Sequence, residues 1–292
     1  MGCDGFSRYH PAVNFLFFLG AIGFGVVIQH PAYLLASMVC AAVYYLVLKG
    51  GRGIGFVVGM LPVAAVIGFI NPLFNTRGRT VLFAFLDRPY TLEALYYGLA
   101  LGGMFIVMML WFGAYNQVLT SDKFVCLFGK LMPSLSLLLV MVLRLIPSFV
   151  RKTKQITAAR TVIGRGTNSG AAFREKLSSG GAVLSALTDW ALEGSIVTAD
   201  SMRARGYGTA KRTSYRIFRM TARDWAVLAM EVLLGAVTVW AVATGRAEAT
   251  YAYRITVAPV TWHLFAYLGF LLIPIGIEIK EAVQWRIILW KI

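Results

Sequence analysis

The stretch Thr198-Ala199-Asp200-Ser201-Met202-Arg203-Ala204-Arg205-Gly206-Tyr207-Gly208 stands where a long helical pattern gives way to a basic segment, with strongly apolar sequence further out on both sides. Glycine directly after a helical run is a C-cap signal, because only glycine enters the left-handed backbone region cheaply. Arg205 is therefore expected at a helix tip, with Gly206 and Gly208 turning the chain away. A guanidinium presented there is a rigid fork of donors suited to a carboxylate on a partner. The competing reading is a cationic last turn that complements the helix dipole.

Upstream of the tip, the helical pattern runs from about Ala171 to Ala204. Val183, Leu187, Trp190, Ala191, Gly194, Val197 and Ser201 recur at spacings of three and four, opposite Asp189, Glu193, Asp200 and Arg203. The apolar face is rich in small residues (Ala191, Gly194, Ser201), which permits another helix to cross closely. At 1.5 Å per residue such a helix reaches about 50 Å, enough to carry a mechanical signal out of a membrane.

Before it, Ser148–Arg165 reads as a basic amphipathic helix with Phe149, Ile156, Ala159 and Ile163 on one stripe, closed by Gly164, Gly166 and Gly170. Before that, Leu131–Ile146 is intensely apolar, broken by Pro133 and Arg144 and followed by Pro147. Three placements are open to it: along the membrane interface, buried among other helices, or across the bilayer, the last disfavoured by its length and its arginine.

From Thr120 to Asp224 seventeen basic residues stand against six acidic ones, a net +11 out of +15 for the whole chain. Such a block between apolar spans is expected on the cytoplasmic side. Nucleic-acid binding is the other use of dense positive charge, but no binding motif accompanies it, so no nucleic-acid partner is expected.

Composition sets the wider class. Of 292 residues 58% are hydrophobic and only 14% charged, with a mean hydropathy of +0.70. These values describe a polytopic membrane protein rather than a soluble domain. The fold class expected is all-α: a polytopic helical membrane protein with about six transmembrane helices and a long-helix cytoplasmic coupling region.

The spans are expected at Val13–Ile28, Tyr33–Leu48, about Ile54–Ile70, about Leu95–Val118, Trp225–Ala243 and Trp262–Ile279. The first two are sixteen residues each, about 24 Å, and interfacial tyrosines lengthen them. Asn71-Pro72 is a turn signal ending the third, and Thr91 before Leu92-Glu93 reads as an N-cap. Lys49 and Arg52 put the second loop, and with it both termini, in the cytoplasm. The loop Arg77–Arg88 is then outside, and its three arginines run against the charge rule. Three regions follow: residues 1–118 with four spans, 119–224 with the coupling helices, and 225–292 with two more spans.

Little in the chain supports chemistry. Cys3, Cys40 and Cys126 form no CxxC, and His10, His30 and His263 are scattered, so no metal site, cofactor or disulfide framework is expected. The N-terminus carries neither a myristoylation signal nor a cleavable leader pattern. No G-x-x-x-x-G-K-[ST] loop occurs, and Leu177-Ser178-Ser179-Gly180-Gly181 stands outside any nucleotide-binding domain. Histidine is too sparse for a nucleophilic triad, so no catalytic residue is assigned. Glu231, about two turns into the fifth span, is an intramembrane carboxylate and hence a functional suspect. Its place near the inner interface, beside Arg223, favours anchoring or packing.

Several motifs together resemble the transmembrane T component of energy-coupling factor transporters, the cobalt-transport permease family of vitamin and metal importers. They are His10-Pro11, Asn71-Pro72-Leu73-Phe74-Asn75, Thr91-Leu92-Glu93 with Tyr97-Gly98, Thr120-Ser121-Asp122, Arg144-Leu145-Ile146-Pro147, Ala191-Leu192-Glu193 and Ala199–Gly208. The resemblance spans about residues 8–224.

It implies a non-catalytic coupling subunit of an ATP-driven importer in the bacterial plasma membrane. Its partners would be two ABC-type ATPase subunits, which hydrolyse the ATP, a substrate-binding membrane S component, and the lipid bilayer. Two arginine motifs at the tips of crossing helices would each dock in a groove of one ATPase. The second stands intact as Ala204-Arg205-Gly206. The first corresponds to Gly164-Arg165-Gly166, with glycine where the family has alanine. Trp190, Ala191, Gly194, Val197 and Ser201 would pack the coupling helices. Two rivals are a stand-alone secondary transporter, which needs mid-bilayer polar groups or an internal repeat, and a membrane-embedded lipid-modifying enzyme, which needs clustered acids or histidines.

Overall fold

Each His-Pro pair starts a helix. Proline at the first helical position has no N–H to waste and a φ already helical, and the histidine before it serves as the cap. Nδ1 of His10 accepts the Ala12 amide and Nδ1 of His30 accepts the Ala32 amide, both at 3.2 Å. These open α1 (Pro11–Val27) and α2 (Pro31–Lys49) of the computed structural model. The structure describes residues 5–75, 78, 80–85, 88–128, 132–164, 173–209, 218–251 and 256–291.

The chain continues through α3 (Ile54–Phe74), a short antiparallel hairpin of β1 (Val81–Phe85) and β2 (Arg88–Thr91), α4 (Leu92–Val118) and α5 (Ser121–Phe128). Then come α6 (Pro133–Val162), α7 (Phe173–Ala204), α8 (Ala222–Ala243), a two-residue hairpin of β3 (Ala249–Thr250) and β4 (Thr256–Val257), and α9 (His263–Lys291). The protein is all-α and polytopic. Among the described residues, five helical segments are long and apolar enough to cross a membrane: Pro31–Phe74 (α2 and α3 together), Leu92–Val118, Ser134–Val162, Ala222–Ala243 and His263–Trp285. The apolar α1 is shorter than these.

Pro147 does not end a helix, contrary to expectation, while α3 ends two residues past Pro72, at Phe74. α3 runs through Pro72, and α6 runs unbroken through Pro147. An internal proline removes one backbone bond, whereas ending and restarting a helix in apolar surroundings orphans several amides and carbonyls. Continuing is the cheaper solution. The segment from Arg77 to the start of α4, read as plain loop, contains the β1–β2 hairpin. Thr91 does occupy the N-cap position of α4, but its side chain accepts no helix amide.

The chain divides into two compact units. Unit 1 comprises residues 1–127 and 218–292, so the first four predicted spans and the last two share one body. Its core centres on Trp111, fully buried, whose Nε1 donates to Ser37 Oγ at 3.1 Å. Phe17, Phe18 and Tyr44 surround the indole, with Phe270 stacked on Phe17 at 5.2 Å. Such pairs add about 0.5–1.5 kcal/mol each beyond their buried area.

α3 and α4 cross with no side chains between their backbones. A Cβ on Gly98 would lie 2.5 Å from the Gly68 carbonyl oxygen, and one on Gly102 would lie 2.6 Å from that of Ala64. Small residues four apart on both helices thus let the backbones touch.

Unit 2, residues 128–217, contains α6 and α7. Phe149 meets Trp190 edge-on with centroids 5.6 Å apart, and Lys152 Nζ lies 5.8 Å from the same indole. Leu187 is buried, and Val183 and Ala191 are partly so.

Candidate partner-docking site

α7 ends in a Schellman turn built from the stretch that carries Arg205. Gly206 takes φ +74°, its amide donates to the Arg203 carbonyl at 2.9 Å, and the Tyr207 amide reaches back to Met202 at 3.0 Å. These bonds satisfy carbonyls the helix end would leave bare. Gly208 also has positive φ, +94°, so any side chain at 206 or 208 would strain the turn. Arg205 is the cap residue itself. It is exposed, as are Ala204 and Tyr207, and it makes no ion pair or side-chain hydrogen bond among the described residues.

The α6 tip ends in a related way. Gly164 takes φ +74°, the same as Gly206, and its amide donates to Thr161 at 3.1 Å. Arg165 and Gly166 lie outside the described residues, so their docking role has no geometry here. The turn glycine nevertheless gives a register. In the α7 motif the arginine precedes the left-handed glycine, whereas in the α6 motif it follows. Val162 and Ile163, just before Gly164, are 87% and 67% exposed. One tip therefore offers a guanidinium ahead of its turn, and the other an apolar pair.

Of the residues expected to pack the coupling helices, Trp190 and Ala191 lie along the α6–α7 contact and are partly covered. Gly194, Val197 and Ser201 are exposed, Val197 at 64%. The last three turns of α7 thus project beyond the cover of other described residues. α6 is bare in the same sense: Leu135, Leu138, Leu145 and Ile146 are each more than 40% exposed. Apolar surface of this extent marks a face that lipid or protein covers.

Unit 1 holds the remaining polar groups. Glu231 is 1% exposed with neither carboxylate oxygen hydrogen-bonded among the described residues, so it is buried in the helix pack, while Arg223 is exposed. His263 is fully buried, stacked on Trp262 with centroids 4.0 Å apart, and neither ring nitrogen has a partner among the described residues. At the same end of the unit, a cleft of about 570 Å³ is lined by Gln29, Asn75, Tyr97, Glu248 and Tyr251, among others. Burial raises the Tyr251 phenol above its ordinary range. Its hydroxyl donates to the Gln29 carbonyl at 3.1 Å, and His30, whose Nδ1 already accepts, donates through Nε2 to the Ala258 carbonyl at 2.9 Å.

At the opposite end, four groups converge on Phe6–His10, a set of pairings that no sequence motif marks. The Lys123 ammonium donates to the carbonyl and hydroxyl of Ser7, to the Val118 carbonyl at 2.8 Å and to Asn14 Oδ1 at 3.3 Å. Asp224 Oδ1 accepts the His10 amide at 3.0 Å, Glu278 accepts the Phe6 amide at 3.1 Å, and Glu281 pairs with Arg8 at 2.6 Å. The only sequence hint was chemical: charged residues just outside apolar runs, whose partners lie more than 100 residues away.

Compared with protein-family models and with curated proteins, the chain matches none.

Proposed function

We propose that this protein is a transmembrane coupling subunit of an ATP-driven importer of the energy-coupling factor type. It passes the motion of two partner ATPases to a separate substrate-binding membrane subunit. The carrying observation is Arg205: an exposed guanidinium on a capped helix tip, without a partner among the described residues. The planar fork of donors suits a carboxylate on a partner, and the turn at Gly206 fixes where it is presented.

The reading assigns each region a task. The tips of α6 and α7 dock the ATPases, through Ala204-Arg205-Gly206 on one and Gly164-Arg165-Gly166 on the other. The bare apolar flanks of α6 and α7 meet the substrate-binding subunit or lipid. Unit 1 anchors the assembly in the bacterial plasma membrane, with both termini and the basic block in the cytoplasm. ATP hydrolysis and cargo choice, a vitamin or metal ion, belong to the partners.

The test is Arg205→Ala, assayed by co-purification with the ATPases and by uptake in cells expressing all partners. A desolvated charge-assisted contact is worth about 2–5 kcal/mol, so docking should weaken at least tenfold while the protein remains folded. A variant that retains both ATPases and transports normally refutes the docking role.

A further inference from the structure

The chain leaves unit 1 after Leu127 and re-enters it at Phe218. Whatever force unit 2 exerts on unit 1 through the covalent chain must enter at these two crossings. Each crossing carries one charged side chain that is 5% exposed: Lys123 on α5 and Asp224 in the first turn of α8. Both grip the same five residues.

On the first crossing, Lys123 points its ammonium into the C-terminal end of α4, where the Val118 carbonyl and the helix dipole favour a cation. Its other two N–H groups are shared among the Ser7 carbonyl and hydroxyl and the amide oxygen of the buried Asn14 of α1, whose Nδ2 in turn donates to the Phe6 carbonyl at 3.0 Å. On the second crossing, Asp224 completes a capping box with Thr221, its Oδ2 accepting both the Thr221 amide and hydroxyl at 2.8 Å. Its second oxygen accepts the amide of His10, the N-cap of α1. One carboxylate thus serves the N-termini of two helices. Phe6, fully buried against Phe17 and Phe18, holds the segment in the core, and Glu278 and Glu281 tie it to α9.

We propose that Phe6–His10 is a mechanical staple, which binds the two chain crossings into one rigid joint through the positioning residues Lys123 and Asp224. A load arriving at Lys123 or Asp224 is shared by α1, α4, α8 and α9. Nothing in the tie requires the partner subunits, so it exists in the isolated chain.

Amide hydrogen exchange on the full-length protein in lipid nanodiscs tests it. Lys123→Met should speed exchange about tenfold or more not only around residues 118–124 but also across 219–225, as loss of a charge-assisted bond implies. Asp224→Ala should do the reverse, loosening 119–125 from the far side. Lys123→Arg should restore protection at both. Ser7→Ala, which removes one acceptor and leaves the lysine in place, should give the same pattern at smaller amplitude and serves if Lys123→Met fails to fold. Thr221→Ala, which breaks the capping box but spares the His10 bond, should loosen only its own helix start. Purely local effects of Lys123→Met and Asp224→Ala, or a remote effect of Thr221→Ala as large as that of Asp224→Ala, overturn the staple.

Its mechanical consequence rests on the coupling function proposed above and is read separately, as substrate moved per ATP in the reconstituted complex. That ratio should fall in Lys123→Met while ATPase docking is kept. An unchanged ratio in a variant with loosened crossings overturns the mechanical role and leaves the docking of Arg205 untouched.

Discussion

Gly102→Ala places a methyl group against the backbone of α3. The new Cβ would lie 2.6 Å from the Ala64 carbonyl oxygen and 3.2 Å from both the carbonyl carbon and Cα of Ala64. All three are backbone atoms, so no side chain can swing aside; α3 must retreat as a body by most of an ångström. Overpacking of this kind costs about 1–3 kcal/mol. Alanine in place of glycine returns about 1 kcal/mol of helix propensity. The neighbouring Gly103 is the internal control, because a Cβ there meets nothing within 4 Å and gains the propensity without the clash. The two single variants should therefore differ in unfolding free energy by about 1–3 kcal/mol, Gly103→Ala being the more stable. Reversible unfolding in mixed micelles, followed by circular dichroism, measures the difference. Equal stabilities, or a more stable Gly102→Ala, would mean that α3 and α4 do not cross at backbone contact.

Three further outcomes follow from other parts of the chain. Glu231→Met should stabilise unit 1 by about 1–3 kcal/mol, because a buried carboxyl with no hydrogen-bond partner among the described residues costs more than a thioether of similar size; a lower melting temperature would show that Glu231 has a partner or a role. Tyr251 has its phenol raised above 10.0 by burial, so its contribution is complete below about pH 10 and is lost as the pH rises beyond. Stability should fall above that pH, and Tyr251→Phe, at a cost of about 1 kcal/mol for the Gln29 bond, should flatten that fall; an identical alkaline slope in the variant refutes the assignment. Finally, in a background without native cysteines, Thr209→Cys should react only with reagents that reach the cytoplasm and Gly78→Cys only from outside. Reaction of both from one face refutes the topology.

How much was legible depended on how local the cause was. The helix tip at Gly206 was visible because the left-handed region admits glycine and little else, and a cap is made from consecutive residues. The apolar helices α2, α3, α4, α8 and α9 were visible because a bilayer demands a run of apolar residues; α1 is shorter than a crossing helix, and Ser134–Val162, disfavoured as a span from its sequence, is long and apolar enough to cross. The helix end at Pro147 was read wrongly for the complementary reason, whereas α3 does end close to Pro72, at Phe74. Proline's local cost is real, but the cost of orphaned backbone groups outweighs it once the surroundings are apolar. Gly98 and Gly102 show the halfway case: their four-residue spacing stands in the sequence, but not the fact that Ala64 and Gly68 are what they face.

The sequence by itself therefore determined the all-α polytopic class, the basic block, and the position of Arg205 ahead of a turn glycine, since each follows from composition or from a few neighbouring residues. Only the tertiary structure decided which buried charges are held by what. Lys123 finds Ser7 and Asp224 finds His10 across more than a hundred residues, and nothing in a one-dimensional pattern encodes such a pairing. It also decided that Gly194, Val197 and Ser201 are left uncovered, because the α6–α7 contact lies at Phe149 and Trp190. A helical stripe says which residues share a face; how far along that face a neighbour reaches is set by the packing of the whole chain.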